Sequence, residues 1–101
     1  MLLKEMYQAV SHESITVAGT ALGFTAANLT RTGGQVVGAL VSAETAQMRY
    51  CVDGTTATST VGHLLEAGDV IEVFGANNLA KFSAIRTGGT SGTLKVTYFG
   101  A

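Results

Sequence analysis

Few side chains in this sequence could do chemistry: one cysteine, two histidines and seven acids. Cys51 lies in the run Met48-Arg49-Tyr50-Cys51-Val52-Asp53, where period-two alternation puts it on one face with Arg49 and Asp53. A neighbouring guanidinium favours a thiolate. A cysteine nucleophile also needs a base, and nothing in the sequence brings His12 or His63 to the thiol. Cys51 therefore reads as a passive surface or interface thiol. His63 and Glu66 have the spacing of a metal-binding pair on a helix, but they fall in a short apolar plug before a strand and have no second pair. His12-Glu13 adjoins the N-terminal arm and reads as solvated.

The segment Thr87-Gly88-Gly89-Thr90-Ser91-Gly92 could turn backbone N–H groups towards an anion. It lacks the lysine and following helix of a phosphate-binding loop, so it reads as a hairpin connection. Tyr7, Tyr50 and Phe99 could stack on sugar rings. Aromatics in a β protein more often fill the core, although Phe99 lies beyond the last clean alternation and is expected at the surface. No Ser–His–acid grouping has local support. The expectation is a protein that is not an enzyme, with no cofactor and no metal.

The chain has 101 residues, enough for one domain and one modest core. Hydrophobic residues make up 47% and charged residues only 13%, about half the usual ~25%. So sparse a charge leaves apolar surface that Thr, Ser, Gly and Ala must coat, or that other chains must cover. The net charge is −1 and there is no basic run, which argues against a nucleic-acid partner. The longest uncharged stretch, Ser14 to Thr30, is broken by Thr, Gly and Asn and is too polar to span a bilayer. MLLKEMYQAV lacks the features of a signal peptide, so Asn28-Leu29-Thr30 is not expected to carry sugar. A lone cysteine fits assembly in a reducing cytoplasm.

The elements that would position these groups are strands. The stretch from Ala46 to Phe74 supplies the frame: a strand at Met48–Val52, a polar loop, a plug of Val61, Leu64 and Leu65, and a second strand at Val70–Phe74. Ser14–Val17 reads as the first firm strand. In Gln35–Ala43 both faces are apolar, with Val37 and Val41 on one and Val36 and Leu40 on the other, as in a strand buried on both sides or at a subunit contact. Gly75–Asn78 reads as a turn, and Lys81–Arg86 as a strand anchored by Phe82 and Ile85. Leu94, Val96 and Tyr98 alternate cleanly with Thr93, Lys95 and Thr97. Tyr50, Ile71, Val73, Leu94 and Val96 are expected to face inward. With 13 glycines and no proline, the expected fold is all-β: an antiparallel sandwich or jelly roll of six to eight short strands. Residues 1–13 are expected to form an arm and residues 14–101 the sandwich.

Met48-Arg49-Tyr50, Val52-Asp53-Gly54, Val61-Gly62-His63-Leu64-Leu65 and Gly68-Asp69 together resemble a pattern in small structural proteins of tailed bacteriophages. Phe82-Ser83-Ala84-Ile85-Arg86, Thr90-Ser91-Gly92-Thr93-Leu94 and Val96-Thr97-Tyr98 extend the resemblance to the C-terminus, and Ile15-Thr16-Val17 matches more loosely. Cys51 stands where a polar or basic residue is usual, and the arm is longer than usual. The resemblance implies a β-sandwich component of the virion without catalytic residues. The function expected is a capsid decoration (cement) protein on the head shell, made in the host cytoplasm, with the major capsid protein and copies of itself, as a homotrimer, for partners. The alternative is a head-fibre or tail-associated sandwich that binds host-surface glycan. The interface candidates are Leu2, Leu3 and Met6 on the arm, Val36 and Leu40 on the two-sided strand, and Phe99.

Overall fold

The structure is a computed structural model and describes residues 7–101. The fold is an all-β antiparallel sandwich. Among the described residues the eight strands are β1 (Gln8–Val17), β2 (Thr30–Arg31), β3 (Gly34–Glu44), β4 (Met48–Cys51), β5 (His63–Leu65), β6 (Val70–Phe74), β7 (Ser83–Arg86) and β8 (Gly92–Gly100). The larger sheet runs β1-β8-β3, with β2 and β6 sharing the far side of β3, and the smaller runs β5-β4-β7. β8, the last strand, is thus the centre of the larger sheet, bonded to β1 on one side and β3 on the other.

The core lies between the sheets. Ile15, Val17, Val36, Ala39, Val41, Ala43, Val73, Leu94, Val96 and Tyr98 come from the larger sheet, and Met48, Leu65 and Ala84 from the smaller. The connections add aromatic fillers. Phe24 stacks on Phe82 with ring centroids 4.2 Å apart and meets Tyr98 edge-on at 5.6 Å, arrangements that suit the ring quadrupoles. The chain leaving β1 covers the open edge of β7, since Leu22 and Ala84 exchange backbone bonds of 3.0 and 2.8 Å.

Two β-bulges shift the register where the sequence alternation misleads. Between Val36 and Gly38, β3 advances two residues while β8 advances one, so Val37 is extra. The slip turns Val36 inward beside Ala39, Val41 and Ala43, and Val36 is 2% exposed. It is a core residue, contrary to its reading as an interface candidate. In β1 the register shifts between Ala9 and Ser11, leaving Val10 extra.

The expected boundary between arm and sandwich moves for a related reason. Residues 8–13 pair with β8 and belong to the sheet, and Leu2, Leu3 and Met6 lie outside the described residues. The bulge and an inward-pointing Glu13 hide the alternation that would have marked these residues as strand. Both devices also discourage pairing with foreign strands at an open edge such as that of β1. A short helix, α1 (Ala76–Lys81), replaces the expected turn and buries Leu79. Lys81 therefore belongs to helix, and β7 starts only at Ser83.

Candidate functional site

The outward face of the larger sheet is a lattice fixed by the strand registers. One row across it holds Ala9, Phe99, Gly38 and Phe74. The next holds His12, Thr97, Leu40 and Glu72, and the third Ser14, Lys95, Ser42 and Val70. Thr16, Thr93 and Glu44 make the fourth. Val70 is 52% and Phe74 44% exposed. Both sit diagonally across from half-buried Leu40, close enough for large side chains to form one apolar strip. Tyr7 reaches the same strip, its ring 5.7 Å from that of Phe74.

Two polar contacts join β1 to β8 across the face. His12 Nδ1 lies 3.2 Å from Thr97 Oγ1, and Lys95 Nζ donates to Ser14 Oγ at 2.8 Å. Charge is divided across the strands. Lys95 stands in the β1–β8 half, while Glu44 and Glu72 occupy the β3–β6 half.

Leu40, an interface candidate, stands on this face. Phe99 does not present itself as expected: it points to the same side but is only 5% exposed. It is set between the two bulges, opposite Ala9 and Gly38, whose minimal side chains leave room for its ring. The alternation that turns Ile71 and Val73 inward leaves Val70 and Phe74 on the outward side of β6, and neither was named as a contact from the sequence. Their signal was the apolar pair flanking Glu72 on a strand whose other face was already apolar.

Glu13 anchors a second cluster, on the inward side at the edge of the sandwich. Its carboxylate accepts from Thr25 N–H at 3.3 Å, Thr25 Oγ1 at 2.6 Å and Asn28 Nδ2 at 2.9 Å, and from the Tyr98 hydroxyl. Burial pushes this carboxyl up, but the bonds from Thr25, Tyr98 and Asn28 outweigh it and hold the carboxyl below its ordinary value. Tyr98 is raised, by burial first and then by the adjacent carboxylate. Beside the cluster, Val10, Ser11, Ala27, Asn28, Thr30 and Arg31 line part of a cleft of about 390 Å³. Arg31 Nη1 donates to the Ala101 carbonyl at 3.2 Å. The expectation that His12-Glu13 is solvated holds for exposed His12 and fails for Glu13.

Around Cys51 the loop between β4 and β5 folds back over the strand. Arg49 fastens it, donating to the carbonyls of Ser59 at 3.0 Å and Gly62 at 2.8 Å. Gly62 lies so close that a Cβ there would come within 2.9 Å of the Tyr50 carbonyl and 3.2 Å of the Cys51 sulfur, and its φ is +124°. The thiol is buried rather than displayed at the surface. Its face was read correctly; the covering loop was not. Cys51, Asp53, Val61 and His63 line part of a cleft of about 300 Å³. His63 lies beside Tyr50, its cross-strand partner, with the ring centroids 5.5 Å apart and the rings tilted by 42°. Glu66 accepts both its side-chain bonds from Gln47 Nε2. Among the described residues no three His, Cys, Asp or Glu side chains converge.

No family model, curated protein or solved structure matches this chain.

Proposed function

We propose that this chain is a structural component of a bacteriophage virion, a decoration (cement) protein that binds and stabilises the head shell. Its partners are the major capsid protein and copies of itself. One observation carries this reading: a small sandwich with few charges displays Val70 and Phe74, at 52% and 44% exposure, on the outward face of its larger sheet. Contiguous apolar side chains on an outward face mark a contact with another protein. The sequence resemblance to small tailed-phage structural proteins supplies the kind of partner.

The test is fractionation of intact particles into heads, tails and fibres, with this chain counted in each. Recovery with heads at hundreds of copies is expected, as a repeated shell lattice requires. Recovery mainly with tails, at tens of copies or fewer, would sink the capsid reading.

A second reading has its own observation. Tyr7 and Phe74 form an aromatic pair, and Asn78 Nδ2 reaches the Phe74 carbonyl at 2.9 Å, so an amide lies beside the rings. Aromatic and amide groups together suit a sugar ring, as a tail- or fibre-associated glycan binder would need. Glycan-dependent protection of Tyr7 or Phe74 in a footprinting experiment, together with recovery in the tail fraction, would favour it.

A further inference from the structure

We propose that the outward face of the larger sheet pairs with the same face of a second copy, about a two-fold axis that runs parallel to the strands in the contact plane. The argument uses the row register and the division of charge already described. It holds for the isolated chain and does not rest on the capsid reading.

A two-fold axis along the strands lays each row over its own counterpart and reverses its order from edge to edge. In the row His12, Thr97, Leu40, Glu72, the reversal places Glu72 over His12 of the other copy and Leu40 over Thr97. In the row Ser14, Lys95, Ser42, Val70, it places Val70 over Ser14 and Lys95 over Ser42. Large side chains thus meet small ones. Lys95 of one copy falls over Ser42 of the other, between Glu44, two residues along the same strand, and Glu72, on the diagonal, each displaced by only about 7–8 Å in the plane of the sheet. The acidic half of each face covers the half of its mate that carries Lys95.

The alternative two-fold axis, across the strands, lays each strand over itself. It would put Glu72 near Glu72 and Lys95 near Lys95, and like charges brought together are costly. Self-complementarity therefore selects one operator, and the contact is isologous. The trimer expected from the sequence needs two different patches to meet; this face meets itself.

The size of the face sets the strength. Four strands about 4.8 Å apart and seven residues at about 3.4 Å per residue give a footprint of about 19 by 24 Å. That is below the ~800 Å² per partner of a standard interface. The pairing is accordingly a concentration-dependent equilibrium rather than a permanent dimer.

The experiment is sedimentation velocity on the full chain across a concentration series, for wild type, Glu72→Lys, Lys95→Glu, and a mixture of the two variants. Wild type is expected to pass from monomer to dimer. Each variant alone sets like charges against each other and should dimerise at least tenfold more weakly. In the mixture both symmetry-related contacts between positions 72 and 95 regain opposite charges, while the acid introduced at position 95 still faces Glu44, so dimerisation should recover in part, to at least threefold tighter than either variant alone. Melting temperatures within a few degrees of wild type establish that both variants are folded. Trimers at any concentration, a monomer throughout the series, single variants that dimerise like wild type, or a mixture that fails to recover would each overturn the proposal.

Discussion

Replacing Glu13 with glutamine should cost far more than an exchange of similar shapes at a sheet edge suggests. The carboxylate accepts from the Thr25 N–H, the Thr25 hydroxyl, the Asn28 amide and the Tyr98 hydroxyl. A glutamine oxygen accepts two bonds, and its NH₂ would point a donor at donors. Tyr98 is 0% exposed, so its hydroxyl has no water to turn to. A stranded buried hydroxyl costs about 1–3 kcal/mol, and the weakened bonds to the half-exposed loop add about 1 kcal/mol. The expected loss of about 2–4 kcal/mol lowers the melting temperature of a domain this size by about 10–25 °C. Urea unfolding at pH 7 is the assay, with an unchanged m-value as the control for compactness.

The pH dependence supplies an independent check. The Glu13 carboxyl is held below its ordinary value of 4.5 in the folded protein. A depressed carboxyl contributes stability that is fully present above its unfolded pKa and is lost as pH falls through the folded one. The gap between wild type and Glu13→Gln should therefore be constant at neutral pH and close progressively below about pH 4.5. A gap under about 0.5 kcal/mol at pH 7, the level of an ordinary surface change, would refute the reasoning. So would a gap that persists unchanged into acid.

Four further substitutions probe the frame. Gly23→Ala would place a Cβ 2.6 Å from the Phe82 carbonyl oxygen, so it should destabilise by about 1–3 kcal/mol in chemical denaturation, through overpacking against backbone. Thr45 has a φ of +80° in the turn between β3 and β4, where the Ala46 N–H bonds the Glu44 carbonyl. Thr45→Gly should raise stability by about 1 kcal/mol, because a β-branched residue is strained there and glycine is not. Leu94→Ala should cost about 2–5 kcal/mol, since Leu94 is 0% exposed. Half-buried Ile71→Ala should cost only about 1–2 kcal/mol; equal costs for the two would mean that β6 packs deeper than described.

The strands that could be read from sequence are those whose alternation is uninterrupted. Leu94, Val96 and Tyr98 were placed inward by period two alone, and β8 has no bulge of its own. β6 was likewise legible, Val73 being buried and Ile71 packed at the margin. Where β3 gains Val37 the period slips by one, so Val36 and Leu40, placed on one face by counting, lie on opposite faces. No pattern of residue types announces that slip, which lies against Phe99 and Gly100 of β8. Glu13 was illegible for a different reason: an acid at an inward position makes sense only once Thr25, Asn28 and Tyr98 are known to converge on it. Of the outward face, Leu40 was named from sequence and its neighbours were not, because the partners across a row come from strands far apart in the chain, 85 positions in the case of His12 and Thr97.

The pairing of β1 with β8 also decides how the domain bears load. Gln8 lies opposite Gly100, so the two ends of the described fold leave from one corner. Tension applied between them opens that ladder like a zipper, one rung after another, each resisting with only about 1 kcal/mol. Tension passed from one face of the sandwich to the other must instead separate both sheets and expose the whole core at once. A molecule gripped by its faces would hold under strain, and the same molecule tethered by its ends would peel.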